Sequence, residues 1–313
     1  MDNLRSEKRK QNRKNKKGLK ITLIVLGVLL LGIGIYVLTV YLSLTNTLEA
    51  MHQPVPESDK RPDKLELQKA EPFSVLLLGV DERKGDRGRS DTMIVLAVNP
   101  KKESIEMISI PRDTRTEIIG KGKEDKINHA YAFGGVEMSI DTVEHFLDIP
   151  IDYFIQVNME GFKDIVDAVG GVKVNNDLDF SYGGVHFPKG EIELNGEEAL
   201  LFSRMRKEDP RGDFGRQQRQ RQIIQAVIRE GASLNTLVNY GNIFEALGKN
   251  VKTNLTFDQM MTIQSKYKNA TKAINQHQVQ GTGKRIDGIY YYIVSEDERT
   301  KLSNLLKEQL EIE

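Results

Sequence analysis

The chain has 313 residues, with 45 Lys or Arg balanced by 45 Asp or Glu, five His and no Cys. The missing cysteines exclude a disulfide scaffold, thiol catalysis and cysteine-ligated zinc, so any folded domain depends on a packed core. The neutral total hides an asymmetry: residues 1–20 hold nine of the basic residues and two of the acids, leaving 36 basic and 43 acidic residues in the rest.

After that basic tail, Ile21 to Leu44 carries no charge. At about 1.5 Å per residue it is long enough to cross roughly 30 Å of hydrocarbon. The spacing predicts a transmembrane helix rather than a cleaved signal peptide, since no small-residue cleavage site follows. The basic excess before the span places the N-terminus in the cytoplasm and everything from about Thr45 outside, at the cell membrane. The tail is then an orientation and headgroup signal, and no nucleic-acid role is expected of it. His52 to Pro72, rich in Pro and charge, reads as a stalk over 45–72.

A folded domain is expected over 73–313. "FSVLLLGV" from Phe73 is an apolar run of strand length, as in a strand covered on both faces. "TMIVLAV" and "SIEMISI", joined around Asn99 to Lys102, read as a hairpin. Helical patterns follow at Gly135–Leu147 and Gly161–Val169, with "YFIQVN" between them as a strand. Gln259–Lys268, the strand-like "GIYYYIV" and the Ser295-capped "EDERTKLSNLLKEQL" complete the alternation. The expected class is α/β, a mixed central sheet with helices on both faces.

Charged groups are expected to converge at one sheet edge. Asp81 ends the first strand, where open α/β sheets place ligands. The hairpin sets Asp91 roughly opposite Arg112 and Asp113, and if the first strand runs parallel to "SIEMISI" all four meet. The intervening loop adds Arg89. The stretch Ser203–Arg221, "SRMRKEDPRGDFGRQQRQR", then carries six arginines. On a helix from about Phe214, with Arg216 set to zero, Gln220 falls near about 40° and Ile223 near about 340°, continuing a buried stripe, while Arg219 falls about 60° off, on the rim. A buried arginine in a first helical turn calls for an anion. Arg204 and Arg206 share a side if their segment is extended. These charges could neutralise one another as ion pairs. Alternatively, arginine forks match phosphate, and carboxylates beside them suit Mg²⁺ bridging two phosphate oxygens, which describes a pyrophosphate site. No Walker or Rossmann glycine motif is present, which disfavours nucleotide chemistry. The five histidines lack metal-ligand spacing.

Taken in order, "LLLGVDERKGDRGRSDTMIVL", "MISIPRDT", "KINHAYAFGG", "GFKDIVDAVGGV" and "LNGEEALLFSRMRKEDPRGDFGRQQRQRQII" resemble the LytR-CpsA-Psr family of Gram-positive cell-envelope proteins, and within it the wall teichoic acid transferases. The resemblance runs from about Phe73 to the C-terminus. It implies a phosphotransferase that moves an anionic glycopolymer from an undecaprenyl-pyrophosphate carrier to the N-acetylmuramic acid 6-hydroxyl of peptidoglycan. It implies pyrophosphate binding by Arg89, Arg112, Arg204, Arg206, Arg216, Arg219 and Gln220, and Mg²⁺ held by Asp81 and Asp91. Asp91 is expected as the base, with Arg89 and Arg112 in catalytic roles, and "YFIQVNMEGFKDIVDAV" as a wall of a lipid channel. A membrane-anchored binder of phosphorylated polymers and a polyprenyl-pyrophosphate hydrolase are the rival readings.

Overall fold

The apolar run Phe73–Val80 forms β1 at the middle of the domain, pairing antiparallel with β2 (Ser90–Asn99) and parallel with β6 (Tyr153–Val157). This is seen in a computed structural model that describes residues 31, 34, 38, 50–81, 88–233, 248 and 250–312. β3 (Ser104–Ile110) returns antiparallel to β2, and β12 (Ala273–Gln278) lies parallel to β3 at one edge. With β11 (Val251–Thr253) at the other edge the order is β11-β6-β1-β2-β3-β12, a mixed sheet of six strands. β1 and β3 therefore run parallel with β2 between them, and both deliver their carboxyl ends to the same edge.

The strands are covered on both faces, which explains their unbroken apolar runs. On one face, Leu76, Leu78, Val95 and Ile108 pack against α1 (His129–Leu147) and α6 (Glu296–Leu310) through Val143, Phe146, Leu302 and Leu306. On the other, Val75, Ile94, Leu96 and Met107 meet Ile224 and Ile228 of α4 (Asp213–Ser233) and Met260 and Ile263 of α5 (Phe257–Lys266). A third core joins Val166 of α2 (Met159–Ala168), Ala199 and Phe202 of α3 (Gly196–Arg204), Val172 and Val174 of β7 (Val172–Asn176), Leu194 of β10 (Gly190–Leu194), and Ile223 of α4. Helix α4 is thus wedged between two cores. α1 begins six residues before the predicted Gly135, and Gly135 is the point where it breaks, with φ 70° and ψ −146°, a conformation that costs glycine little. Ser295 caps α6 as expected, its Oγ accepting from the Glu298 N–H at 3.3 Å.

Two expectations about the N-terminal part meet the structure differently. The chain divides into compact units Met1–Asn46 and Thr47–Glu313. The membrane span expected over 21–44 lies in the first unit and outside the described residues, apart from residues 31, 34 and 38, which are helical. Among the described residues no helix is long and apolar enough to cross a membrane. The stalk expected over 45–72 is, from residue 50, laid against the domain. Met51 and Leu67 are buried, and Arg61 forks onto Asp152 at 2.8 and 2.9 Å and donates to the Pro72 carbonyl. The Pro-rich composition marked irregular backbone correctly but carried no signal of these scattered anchors.

The wall expected from "YFIQVNMEGFKDIVDAV" is divided among all three cores. Tyr153 and Ile155 face α4 and α5, Phe154 faces α1, and Phe162 and Val166 join the third core.

Candidate active site

The predicted edge exists and is organised by a bulge. Gly79 pairs with Thr92 but Val80 pairs with Ser90, so Asp91 is the extra residue on β2. Such a bulge re-aims a side chain out of the ladder. Asp91 meets Arg112, the second residue after β3, Oδ1 to Nη1 at 2.9 Å. Asp81 directly follows β1, its backbone N–H donating to the Arg89 carbonyl at 3.3 Å, and Arg89 is exposed. Asp113 lies 3.9 Å from Arg112 Nε and accepts from Lys126 Nζ at 2.6 Å.

Helix α4 brings the second half of the site. Arg216 Nη2 lies 2.7 Å from Asp213 Oδ1, one turn earlier, and Arg206 Nε lies 3.7 Å from the same oxygen. Burial alone would ease the proton off Arg112. The carboxylates of Asp91, Asp213 and Asp113 more than offset that and hold it above its ordinary value. Arg216 goes the other way: burial lowers it, and the guanidinium groups of Arg112 and Arg206 add to the effect, against Asp213 and Asp91. Asp91, Arg112, Asp213, Arg216 and Arg206 therefore share one electrostatic neighbourhood. Like-charged guanidiniums are held together there only by shared acids, an arrangement that suits a polyanion able to replace those acids.

Arg204, exposed at the end of α3, and Arg206 both turn outward because buried Met205 lies between them in extended conformation. Gln220 is half-buried. Arg219 corrects the sequence reading: instead of the rim it is 1% exposed. Its Nη1 reaches Asp209 Oδ2 at 2.6 Å, its Nε donates to the Phe202 carbonyl at 3.0 Å, and its Nη2 donates to the Met205 carbonyl. The rings of Phe180 and Phe202 lie within 5.4 and 5.9 Å of the guanidinium carbon. One buried stripe was assumed for α4, but a helix between two cores buries most of its circumference, and 300° is an interior direction there.

Sequence reasoning also missed Asp209 and Asp213. Both stand in the quoted stretch as acids among arginines immediately before or within the first turn of a helix, a signal that could have marked them as counter-ions. Asp209 additionally anchors Arg211, accepting from its N–H and its Nε, while Arg211 forks onto Asp177. Gly215 makes room for this node: a Cβ there would lie 1.9 Å from Asp209 Oδ2. Gly215→Ala is therefore expected to displace Asp209 and to destabilise the domain by about 1–3 kcal/mol, the usual range for overpacking. Chemical denaturation of the two proteins checks this, and equal midpoints would show the node to be slack.

Among the described residues there is no group of three or more His, Cys, Asp or Glu disposed to hold a metal ion. A cation at this edge would have two carboxylates, Asp81 and Asp91, and would complete its shell with oxygens of a bound phosphate. That donor set fits Mg²⁺, which typically takes one or two carboxylates plus substrate phosphates.

The fold and the sequence have counterparts among known proteins. The chain belongs to the LytR_cpsA_psr family, which it matches over residues 38–308. It is 53% identical over 304 residues, 97% of this chain and 99% of the relative, to the polyisoprenyl-teichoic acid–peptidoglycan teichoic acid transferase TagU of Bacillus subtilis strain 168. The crystal structure of B. subtilis TagU superposes with a TM-score of 0.64 at 54% identity, covering 78% of this chain and 98% of that one. A structure of TagT bound to LIIa-WTA matches with a TM-score of 0.72 at 32% identity, over 82% of this chain and 97% of the other.

Proposed function

We propose that this chain is a glycopolymer–peptidoglycan phosphotransferase that moves a teichoic acid from a polyprenyl-pyrophosphate carrier to a peptidoglycan hydroxyl, the N-acetylmuramic acid 6-hydroxyl. The observation that carries this reading is the single neighbourhood formed by Asp91, Arg112, Asp213, Arg216 and Arg206. It is supported by relatives that are named as teichoic acid transferases and match nearly the whole chain.

Phosphoryl transfer asks a protein mainly to position the reactants and stabilise charge. The acceptor hydroxyl attacks the phosphorus that carries the glycopolymer. The new P–O bond forms as the bond to the bridging oxygen breaks, and polyprenyl phosphate leaves with that electron pair. Asp91 receives the hydroxyl proton. Arg112, Arg216, Arg206 and Arg89 hold the phosphate oxygens, with Arg204 and Gln220 at the margin. Arg219 acts from behind by fixing the Met205 carbonyl and so the Arg206 segment. Mg²⁺, if held by Asp81 and Asp91, supplies neutralising charge to the bridging region of the diphosphate. The chain is proposed to sit in the cell membrane by its segment 21–44, with the domain outside.

The test is to incubate detergent-solubilised full chain with a synthetic polyprenyl-pyrophosphate glycan, Mg²⁺ and uncrosslinked peptidoglycan. Glycan attachment with one polyprenyl phosphate released per attachment is expected, and EDTA should suppress it. Release without attachment would make the protein a hydrolase, and binding with neither product would make it a binder.

A further inference from the structure

The arginines of the 203–221 stretch that are buried or half-buried are matched with carboxylates, with one exception. Arg211 has Asp177 and Asp209, Arg216 has Asp213, and Arg219 has Asp209. Arg221 has none. It is 6% exposed, its Nε donates to Gln276 Oε1 at 3.2 Å, and its Nη1 is buried without a partner. Burial alone acts on its proton affinity, with no carboxylate in opposition. A lysine in such a place could shed its proton, but a guanidinium cannot, so the interior must meet a fixed positive charge.

The surroundings are polar, and several of their buried atoms lack a hydrogen-bond partner. Gln217, one turn earlier on the same helix face, is 6% exposed with its Oε1 unpartnered, while its Nε2 donates to Asp213 Oδ2 at 3.0 Å. Arg216 Nε is buried without a partner as well. Across the interface Gln276 pairs in register with Met107, and Ser109, two residues on along the same face of β3, has a buried hydroxyl with no partner. Gln276 also donates from its Nε2 to Gln225 Oε1 at 2.7 Å, at the exposed edge of the sheet. Partnerless buried polar atoms thus occur on Arg216, Gln217 and Arg221 of α4 and on Ser109 of the sheet face that α4 covers. On the next turns the same helix offers Ile224 and Ile228 to the sheet. The sequence of chemistries along α4 is cation, second cation, then hydrocarbon, the order of groups in an amphiphile with an anionic head.

We infer that Arg221 and Ser109 form an inner anion subsite that takes the lipid-proximal phosphate of the diphosphate, with the outer phosphate on Arg112 and Arg216. Arg216 and Arg221 are separated by about 7.5 Å of helix rise and about 140° of rotation, so their two long side chains would approach adjacent phosphates from different flanks of the face that α4 turns to the sheet. Arg221 then stabilises the leaving polyprenyl phosphate, and this assignment rests on the transferase reading above.

The test uses the full chain in detergent and three probes: farnesyl diphosphate, inorganic pyrophosphate and inorganic phosphate. Binding is read by the thermal shift each probe produces and by its titration. Wild type must first respond to farnesyl diphosphate, and Arg112→Ala must weaken that response; failure at this stage would sink the diphosphate-site reading itself. Arg221→Met is then expected to melt no lower than wild type without ligand, because an uncompensated buried charge has been removed. It is also expected to bind farnesyl diphosphate at least about tenfold more weakly, since charge-assisted fork contacts are lost. A variant that melts lower yet binds farnesyl diphosphate as wild type does would make Arg221 a strut for Gln276 and overturn the subsite. Loss of inorganic phosphate or pyrophosphate binding with farnesyl diphosphate binding intact would assign the site to a free anion and equally overturn it. Arg221→Gln gives the same readings should the methionine variant not fold.

Discussion

Arg112→Ala is expected to slow teichoic acid transfer on the order of 10³-fold, the scale on which a single preorganised donor at a developing charge is lost. Arg112 stands where the two halves of the site meet. Asp91 holds it at 2.9 Å, Asp113 flanks it at 3.9 Å, and the field of Asp213 reaches it from α4. It is partly exposed and lies outside the three cores, so its removal should leave the melting temperature within a degree or two. Arg112→Lys is expected to recover little, because an ammonium cannot bridge two oxygens in a fixed fork. Single-turnover rates at saturating donor decide the matter. A lysine variant with wild-type rate would show that only the charge matters there.

Asp209→Ala should be the most destabilising substitution at any charged residue near the site, costing about 3–5 kcal/mol, because it strands a buried guanidinium. Arg219 is 1% exposed and the side chain of Asp209 is fully buried. Both carbonyls that Arg219 holds, Phe202 and Met205, belong to the turn that presents Arg204 and Arg206, so activity should fall with stability. The double variant Asp209→Ala, Arg219→Met removes both charges and should regain most of the loss. Equilibrium unfolding of the four proteins of this cycle tests it, and additivity of the two single losses would refute the coupling. The pair also sets an acid limit. Burial would raise the Asp209 carboxyl, but hydrogen bonds from Arg211 and Arg219 outweigh it and hold the group well below the usual carboxylate range. Its folded-state value being the lower one, its contribution is complete above about pH 4, the unfolded value, and fades as pH falls toward the folded one. The gap between wild type and Asp209→Ala should therefore narrow in acid.

Strands buried on both faces announce themselves as apolar runs, which is why β1, the β2–β3 hairpin and β6 were legible, and with them the meeting of Asp91 and Arg112. The strands between residues 172 and 194 were not, since β8 (Phe180–Tyr182) and β9 (Val185–Phe187) are three residues each and β7 alternates with polar residues on its open side. The bulge at Asp91 depends on a pairing shift that no local pattern encodes. Arg219 was misplaced because an angular reading assumes one buried direction, whereas α4 gives Ile223 to one core and Ile224 to another. Its counter-ion is ten residues away across a turn, beyond the reach of helical periodicity.

The contact between Asp91 and Arg112 also bears on the order of events. On the proposed roles, the carboxylate that must accept the proton is engaged by the arginine that must accept the phosphate. A free enzyme therefore keeps its base occupied, and an arriving diphosphate competes for Arg112 and releases Asp91. Donor should bind before acceptor, and an acceptor analogue should inhibit uncompetitively against donor. Water reaching the empty protein would find no base ready for it, and the base becomes available only once the diphosphate it serves is already seated.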